Sequence, residues 1–147
     1  MNEVKYWRSY MNKLHEEQCK IPYKNLGYDK DQMPQIKEEM IQSFLIDLRE
    51  QNIEVFETKI KVSDLQPSQG SLQWEKVQSL MKTGFDKLKN GTPIFVSKDN
   101  IICDGHHRYY ALKMIDKNSD MGVFQVQLEA DELIKRMKQF ENRINGG

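Results

Sequence analysis

The sequence predicts an α+β fold: a small mixed sheet with flanking helices, preceded by a helical N-terminal arm. Three observations carry this. First, the apolar residues keep helical spacing up to about residue 51 and then turn to short β-rich runs. Second, those runs alternate with longer amphipathic segments, and Gly, Pro and Asn mark the joins. Third, 147 residues with 38% hydrophobic and 30% charged content suit one packed core. The expected division is an arm over residues 1–52 and an α/β domain over 53–147.

In the arm, Val4, Trp7, Met11 and Leu14 space a first helix over residues 3–19. Pro22, Gly27 and Pro34 punctuate a linker. Ile36, Met40, Phe44, Leu45 and Leu48 mark the buried stripe of a second helix over 35–51. Val55, Thr58, Ile60 and Val62 predict a strand. Asp64 to Gly70 reads as a loop, and Trp74, Val77, Leu80, Met81 and Phe85 as one helix reaching Leu88, stopped by Lys89-Asn90-Gly91. Pro93 to Ser97 and Ile101 to Cys103 form a hairpin across Lys98-Asp99-Asn100. Asp104-Gly105 breaks the returning strand, and a helix runs from His106 to Lys117. Gly122 to Leu128 reads as a strand, and a last helix starts near Asp131.

Lys plus Arg and Asp plus Glu both number 22, so the net charge is zero. That argues against a surface built to grip nucleic acid, although a local basic patch for DNA stays open. No run approaches the ~18 apolar residues of a membrane span. The first residues lack the apolar region of a secretory signal, so a cytoplasmic setting is expected, of a cell or of a virus-infected host. With only Cys19 and Cys103, both thiols are expected reduced. The high Lys, Asn, Gln and Ile content suits a phage or an AT-rich bacterial source.

The chemistry concentrates in Asp104-Gly105-His106-His107-Arg108. A strand running straight into a helix presents the helix's unpaired N–H groups and the positive end of its dipole, a natural phosphate site. Gly105 permits close approach, Arg108 can fork onto phosphate oxygens, and His106 and His107 can donate or move a proton. Asp104 can cap, act as a base, or ligate Mg²⁺. Asp-Gly is also a common turn pair, so this chemistry alone leaves an ordinary solvated first turn open.

The stretch PIFVSKDNIICDGHHRYYALK resembles the signature of the ParB/sulfiredoxin superfamily, an apolar hairpin leading into a Gly-containing helix start. The Asp104–Arg108 form is similar to that of free-serine kinases, and Leu65-Gln66-Pro67-Ser68-Gln69 looks like the family's loop beside the nucleotide. The resemblance spans about Lys59 to Leu128. It implies a nucleotide triphosphate, ATP or CTP, with Mg²⁺. Gly105, His107, Arg108, Tyr109, Pro67, Ser68 and Gln69 would hold the phosphates. Asp104, His106, His107 and Glu57 are the catalytic candidates, with Glu54 and Glu75 as further choices for the base. The implied function is an ATP/CTP-dependent phosphotransferase or nucleotide hydrolase. The alternatives are a non-catalytic nucleotide-gated or structural interaction protein, and a ParB-like nuclease. Two familiar roles are not expected. Sulfiredoxin's reactive cysteine falls at His106, and a single helix follows the sheet where partition proteins carry a DNA-reading domain.

Two weaker patterns remain. His15, Cys19, Cys103 and His106 have pairwise zinc-ligand spacing, but nothing in the sequence brings the pairs together. The first helix mixes Lys5, Arg8, Lys13 and Lys20 with Tyr6, Trp7 and Tyr10, which suits a protein partner or single-stranded nucleic acid.

Overall fold

The computed structural model describes residues 19–20, 25–28 and 33–144. The expected first helix therefore lies outside the described residues, except that Cys19–Lys20 is a short strand, β1, and not a helix end. A 3₁₀ turn, Glu38–Met40, leads into α1, Ile41–Glu50. Then come β2 (Val55–Lys61), β3 (Gln66–Pro67), β4 (Ser71–Leu72), α2 (Trp74–Lys82) and α3 (Phe85–Lys89). The chain continues through β5 (Ile94–Val96), β6 (Ile101–Asp104), α4 (His106–Ile115), β7 (Asp120–Val126) and α5 (Ala130–Ile144).

Five strands form a mixed sheet in the order β2-β7-β5-β6-β3. β2 runs antiparallel to β7, β5 parallel to β7, β6 antiparallel to β5, and β3 parallel to β6. Alternation along the strands divides the core between the two faces. Ile94, Val96, Ile102, Met121 and Val123 meet Val77 of α2, Leu88 of α3 and Tyr109, Tyr110 and Leu112 of α4. Phe95, Cys103, Phe124 and Val126 meet Ile41, Phe44 and Leu48 of α1 and Leu133, Ile134, Met137 and Phe140 of α5. The expected α+β class, a small mixed sheet with flanking helices, is what forms. Phe44 anchors the second face: its ring meets Phe95 edge-on at 5.4 Å and Phe140 at 5.1 Å. Burying such a side chain contributes about 2–3 kcal/mol. At the rim, Arg143 of α5 pairs with Asp47 of α1 at 3.0 Å.

Three expectations need correcting. The helix predicted to run unbroken from Trp74 to Leu88 stops at Lys82 and restarts at Phe85. The cause is Gly84, whose φ of 100° is a left-handed conformation that costs glycine little. Thr83 closes the first segment, its hydroxyl donating to Leu80 C=O at 2.6 Å. The Asp64–Gly70 loop is also partly paired. Gln66–Pro67 lies beside Ile101–Ile102 at the sheet's edge, where a proline's missing N–H costs nothing. Beyond it, Ser71–Leu72 pairs with Cys19–Lys20. β7 also begins two residues earlier than expected, at Asp120. Among the described residues, no helix is long and apolar enough to cross a membrane.

Candidate functional site

The site is built where β6 ends. Ile102 and Cys103 fix the strand by burying on opposite faces. Gly105 then turns the chain at φ 104° and ψ 20°. A Cβ on Gly105 would lie 2.2 Å from Ile94 Cγ2 on β5, so both the dihedral and the space demand glycine. α4 begins at once, with Tyr109 N–H donating to Gly105 C=O at 3.0 Å. Gly105, at the cap position, has no side chain with which to cap this end. A helix's first N–H groups have no acceptor within the helix, and here they open onto a cleft.

The two histidines diverge. His106 is 3% exposed and turns inward. Its Nε2 accepts hydrogen bonds from Ser68 N–H at 3.0 Å and Gln69 N–H at 3.1 Å, with Ser68 Oγ at 3.3 Å. Burial, with some help from neighbouring His107, pulls its pKa down to about 3. His106 is thus a neutral ring that fastens the Pro67–Gln69 segment to the helix start. Ser68 completes the fastening by donating to Ile102 C=O at 2.5 Å. His107 is half-buried and faces the cleft. Its Nε2 accepts from Gln73 N–H at 3.0 Å, which ties down the start of α2.

The cleft measures about 530 Å³. Its walls come from Met33 to Gln35 ahead of α1, Lys76 and Leu80 of α2, Gln69, the Cys103–Arg108 turn, and Glu141 of α5. Asp104 accepts from Ile36 N–H at 3.2 Å. Burial pushes its carboxyl up to about 6, against the pull of Ile36 N–H, Arg108 and Gly105 N–H. Glu141 adds repulsion in the same direction. Arg108 is pushed down by burial, while Asp104 and Glu38 hold it up. Its Nη1 lies 2.9 Å from where a Cβ on Gly91 would stand, so the guanidinium rests on the end of α3. Burial pushes the Cys103 thiol up, leaving a protonated small hydrophobe.

The structure thus brings together Asp104, Gly105, His106, His107, Arg108 and Gln69. Pro67 and Ser68 are buried beneath them. Tyr109 is fully buried, with Lys113 Nζ 3.3 Å from its hydroxyl, and lies under the cleft instead of on its wall. Glu57 is elsewhere: it is exposed on β2 and lines a separate groove with Leu45, Arg49, Asn52 and Phe124. Glu54 lines that same groove, and Glu75 is exposed on α2. Sequence reasoning missed Lys76 and Glu141, for which no local signal exists. Of the zinc pairs, His15 lies outside the described residues. Among the described residues, no three His, Cys, Asp or Glu side chains are grouped to hold a metal.

Fold and site define a class: an α+β domain with a cleft at a strand–glycine–helix turn. No family model and no curated protein matches the chain. Among solved structures, the C2221 form of a Pnob8-like ParB-N domain is similar in fold, at 14% identity and a TM-score of 0.44. The match covers 63% of this chain and 39% of that one, so the chain spans well under half of the solved structure's length.

Proposed function

We propose that the cleft binds a nucleoside triphosphate, with its phosphates on the start of α4, and that the protein transfers or hydrolyses the terminal phosphoryl group. One observation carries the reading: a helix start with glycine at its cap position, two cations and a carboxyl with a pKa near 6 line the same cleft. The N–H groups of the first turn meet phosphate oxygens, and Lys76 and Arg108 offset their charge. His107 lines the same wall. Asp104 is ionised above about pH 6 and is the group suited to take a proton in this cleft. It accepts the proton of a hydroxyl or water as that oxygen bonds to the terminal phosphorus. The bridging P–O bond breaks, and the nucleoside diphosphate leaves with the electron pair. A Mg²⁺ fits only in part: Asp104 and Glu141 are the cleft's carboxylates among the described residues, and the ion's remaining ligands would be phosphate oxygens and water.

The test is nucleotide binding followed by turnover. ATP and CTP with Mg²⁺ are added while thermal melting and phosphate release are followed. At least one nucleotide is expected to raise the melting temperature and to release phosphate or modify an acceptor. Asp104→Asn should retain binding and lose turnover, and Arg108→Ala should lose both. If no nucleotide shifts the melting curve, the proposal fails. Binding without turnover would instead favour a nucleotide-gated module. That reading has its own support, because Asp104 already holds the chain leading into α1 through Ile36 N–H.

A further inference from the structure

Strand β2 is an edge, and among the described residues it pairs with β7 alone. Phe56, Glu57, Thr58 and Lys59 are all exposed, and Phe56 keeps 48% of its surface in solvent. A seven-residue strand with an exposed aromatic is a ready template for another strand. The bonds to β7 decide which backbone groups point outward. Gln127 N–H donates to Glu54 C=O at 3.0 Å, and Val62 N–H donates to Ser119 C=O at 2.8 Å. Backbone direction alternates along a strand. Even-numbered residues therefore turn toward β7, and Val55, Glu57, Lys59 and Lys61 turn their N–H and C=O groups to the open edge.

A second β2 arriving antiparallel must then set odd-numbered residues opposite odd-numbered residues. Three central registers meet this condition. Centring on Glu57 sets that carboxylate against itself, and centring on Lys59 does the same with the ammonium. Like charges directly opposite are destabilising. Centring on Thr58 sets Glu57 against Lys59 of the other copy, and by symmetry Lys59 against Glu57. Val55 then faces Lys61, and Phe56 faces Ile60. Phe56, Thr58 and Ile60 fall at the non-hydrogen-bonded positions, where side chains approach more closely.

We infer that two copies of this chain associate through β2, antiparallel about Thr58, to extend the sheet across a two-fold axis. The interface is isologous, as a two-fold requires. It is small, so dissociation in the micromolar range or weaker is expected. Edge lysines can also serve only to repel other strands. The experiment separates these roles, and it is independent of the cleft.

Sedimentation of the full chain over a concentration series reaching the millimolar range should give a reversible monomer–dimer equilibrium. Lys59→Glu sets Glu opposite Glu twice and should weaken the dimer about tenfold or more. The exchange Glu57→Lys with Lys59→Glu should restore it. Lys59→Pro removes an outward N–H while sparing the bonds to β7, so it should give a folded monomer, checked by circular dichroism. A wild-type chain that remains monomeric throughout overturns the inference. So does a dimer that Lys59→Glu and Lys59→Pro leave unchanged, since it must use another surface.

Discussion

Replacing Gly105 with alanine tests the construction of the site most directly. Its φ of 104° lies in the left-handed region, where a non-glycine residue costs about 1–2 kcal/mol. The added Cβ would also stand 2.2 Å from Ile94 Cγ2 and 2.6 Å from Ile94 Cβ. Ile94 is 2% exposed on a central strand, so neither group can swing into solvent. Overpacking of this kind costs about 1–3 kcal/mol. Together Gly105→Ala should cost about 2–5 kcal/mol, against a total stability of about 5–15. In urea, with a slope of about 1–3 kcal/mol per molar, the midpoint should fall by roughly 0.7–5 M. A double-mutant cycle identifies the cause. Ile94→Ala alone costs about 2–5 kcal/mol. Combined with Gly105→Ala it should cost less than the sum, by about 1 kcal/mol, because the obstructing methyl is gone. A midpoint within ~0.3 M of wild type would refute the strain argument. Strict additivity would leave the dihedral and remove the clash.

Burial holds Asp104 at about 6, above its ordinary 3.8, so its contribution to stability is present below that ordinary value and is lost as the pH rises through about 6. His106 runs the other way, held at about 3 against 6.5, so its contribution is present above 6.5 and is lost as the pH falls toward 3. The two oppose each other between roughly pH 4 and 6. Asp104→Asn should therefore lose stability more steeply than wild type on acidification across that window, and parallel denaturation curves would contradict this. His106→Ala leaves Ser68 and Gln69 N–H without their acceptor and should cost about 2–5 kcal/mol, with faster proteolysis between Pro67 and Leu72. Unchanged proteolysis would mean that the histidine is not the fastening. Lys76→Ala should weaken nucleotide binding by about 10–100-fold in calorimetry, as losing a charged hydrogen bond does. An equal affinity would remove Lys76 from the site.

The sheet and most helices were legible because burial alternates sharply. Ile94, Phe95 and Val96 go to opposite faces in turn, as do Ile102 and Cys103. The break at Gly84 was hidden because Val77, Leu80, Met81 and Phe85 keep helical spacing across it. β3 and β4 were hidden because two residues are too few to show a period of two. At the site, Asp104 to Arg108 announce a helix start, but the cleft's other walls come from segments far apart in sequence. Lys76 and Glu141 meet it only after α2 and α5 have docked. The inward turn of His106 carries no such signal: His107 stands three, four and seven residues before Tyr110, Ala111 and Met114, which are buried like the residues that follow His106.

The same geometry gives Asp104 two claims on one carboxyl. Its Oδ2 accepts from Ile36 N–H at 3.2 Å, at the long end of the usual range of about 2.7–3.2 Å for an amide donor. A bond this long is cheaply exchanged. A ligand donor, or a hydroxyl giving up its proton, competes with Ile36 for the carboxyl and so frees the segment that leads into the 3₁₀ turn at Glu38. Hydrogen exchange at the Ile36 amide reads this out. If nucleotide engages Asp104, Ile36 should exchange faster in the complex, while buried amides of α4 should exchange more slowly. If Ile36 is instead protected along with the rest of the cleft, the ligand leaves Oδ2 to Ile36, and any contact it makes with Asp104 runs through the other carboxyl oxygen.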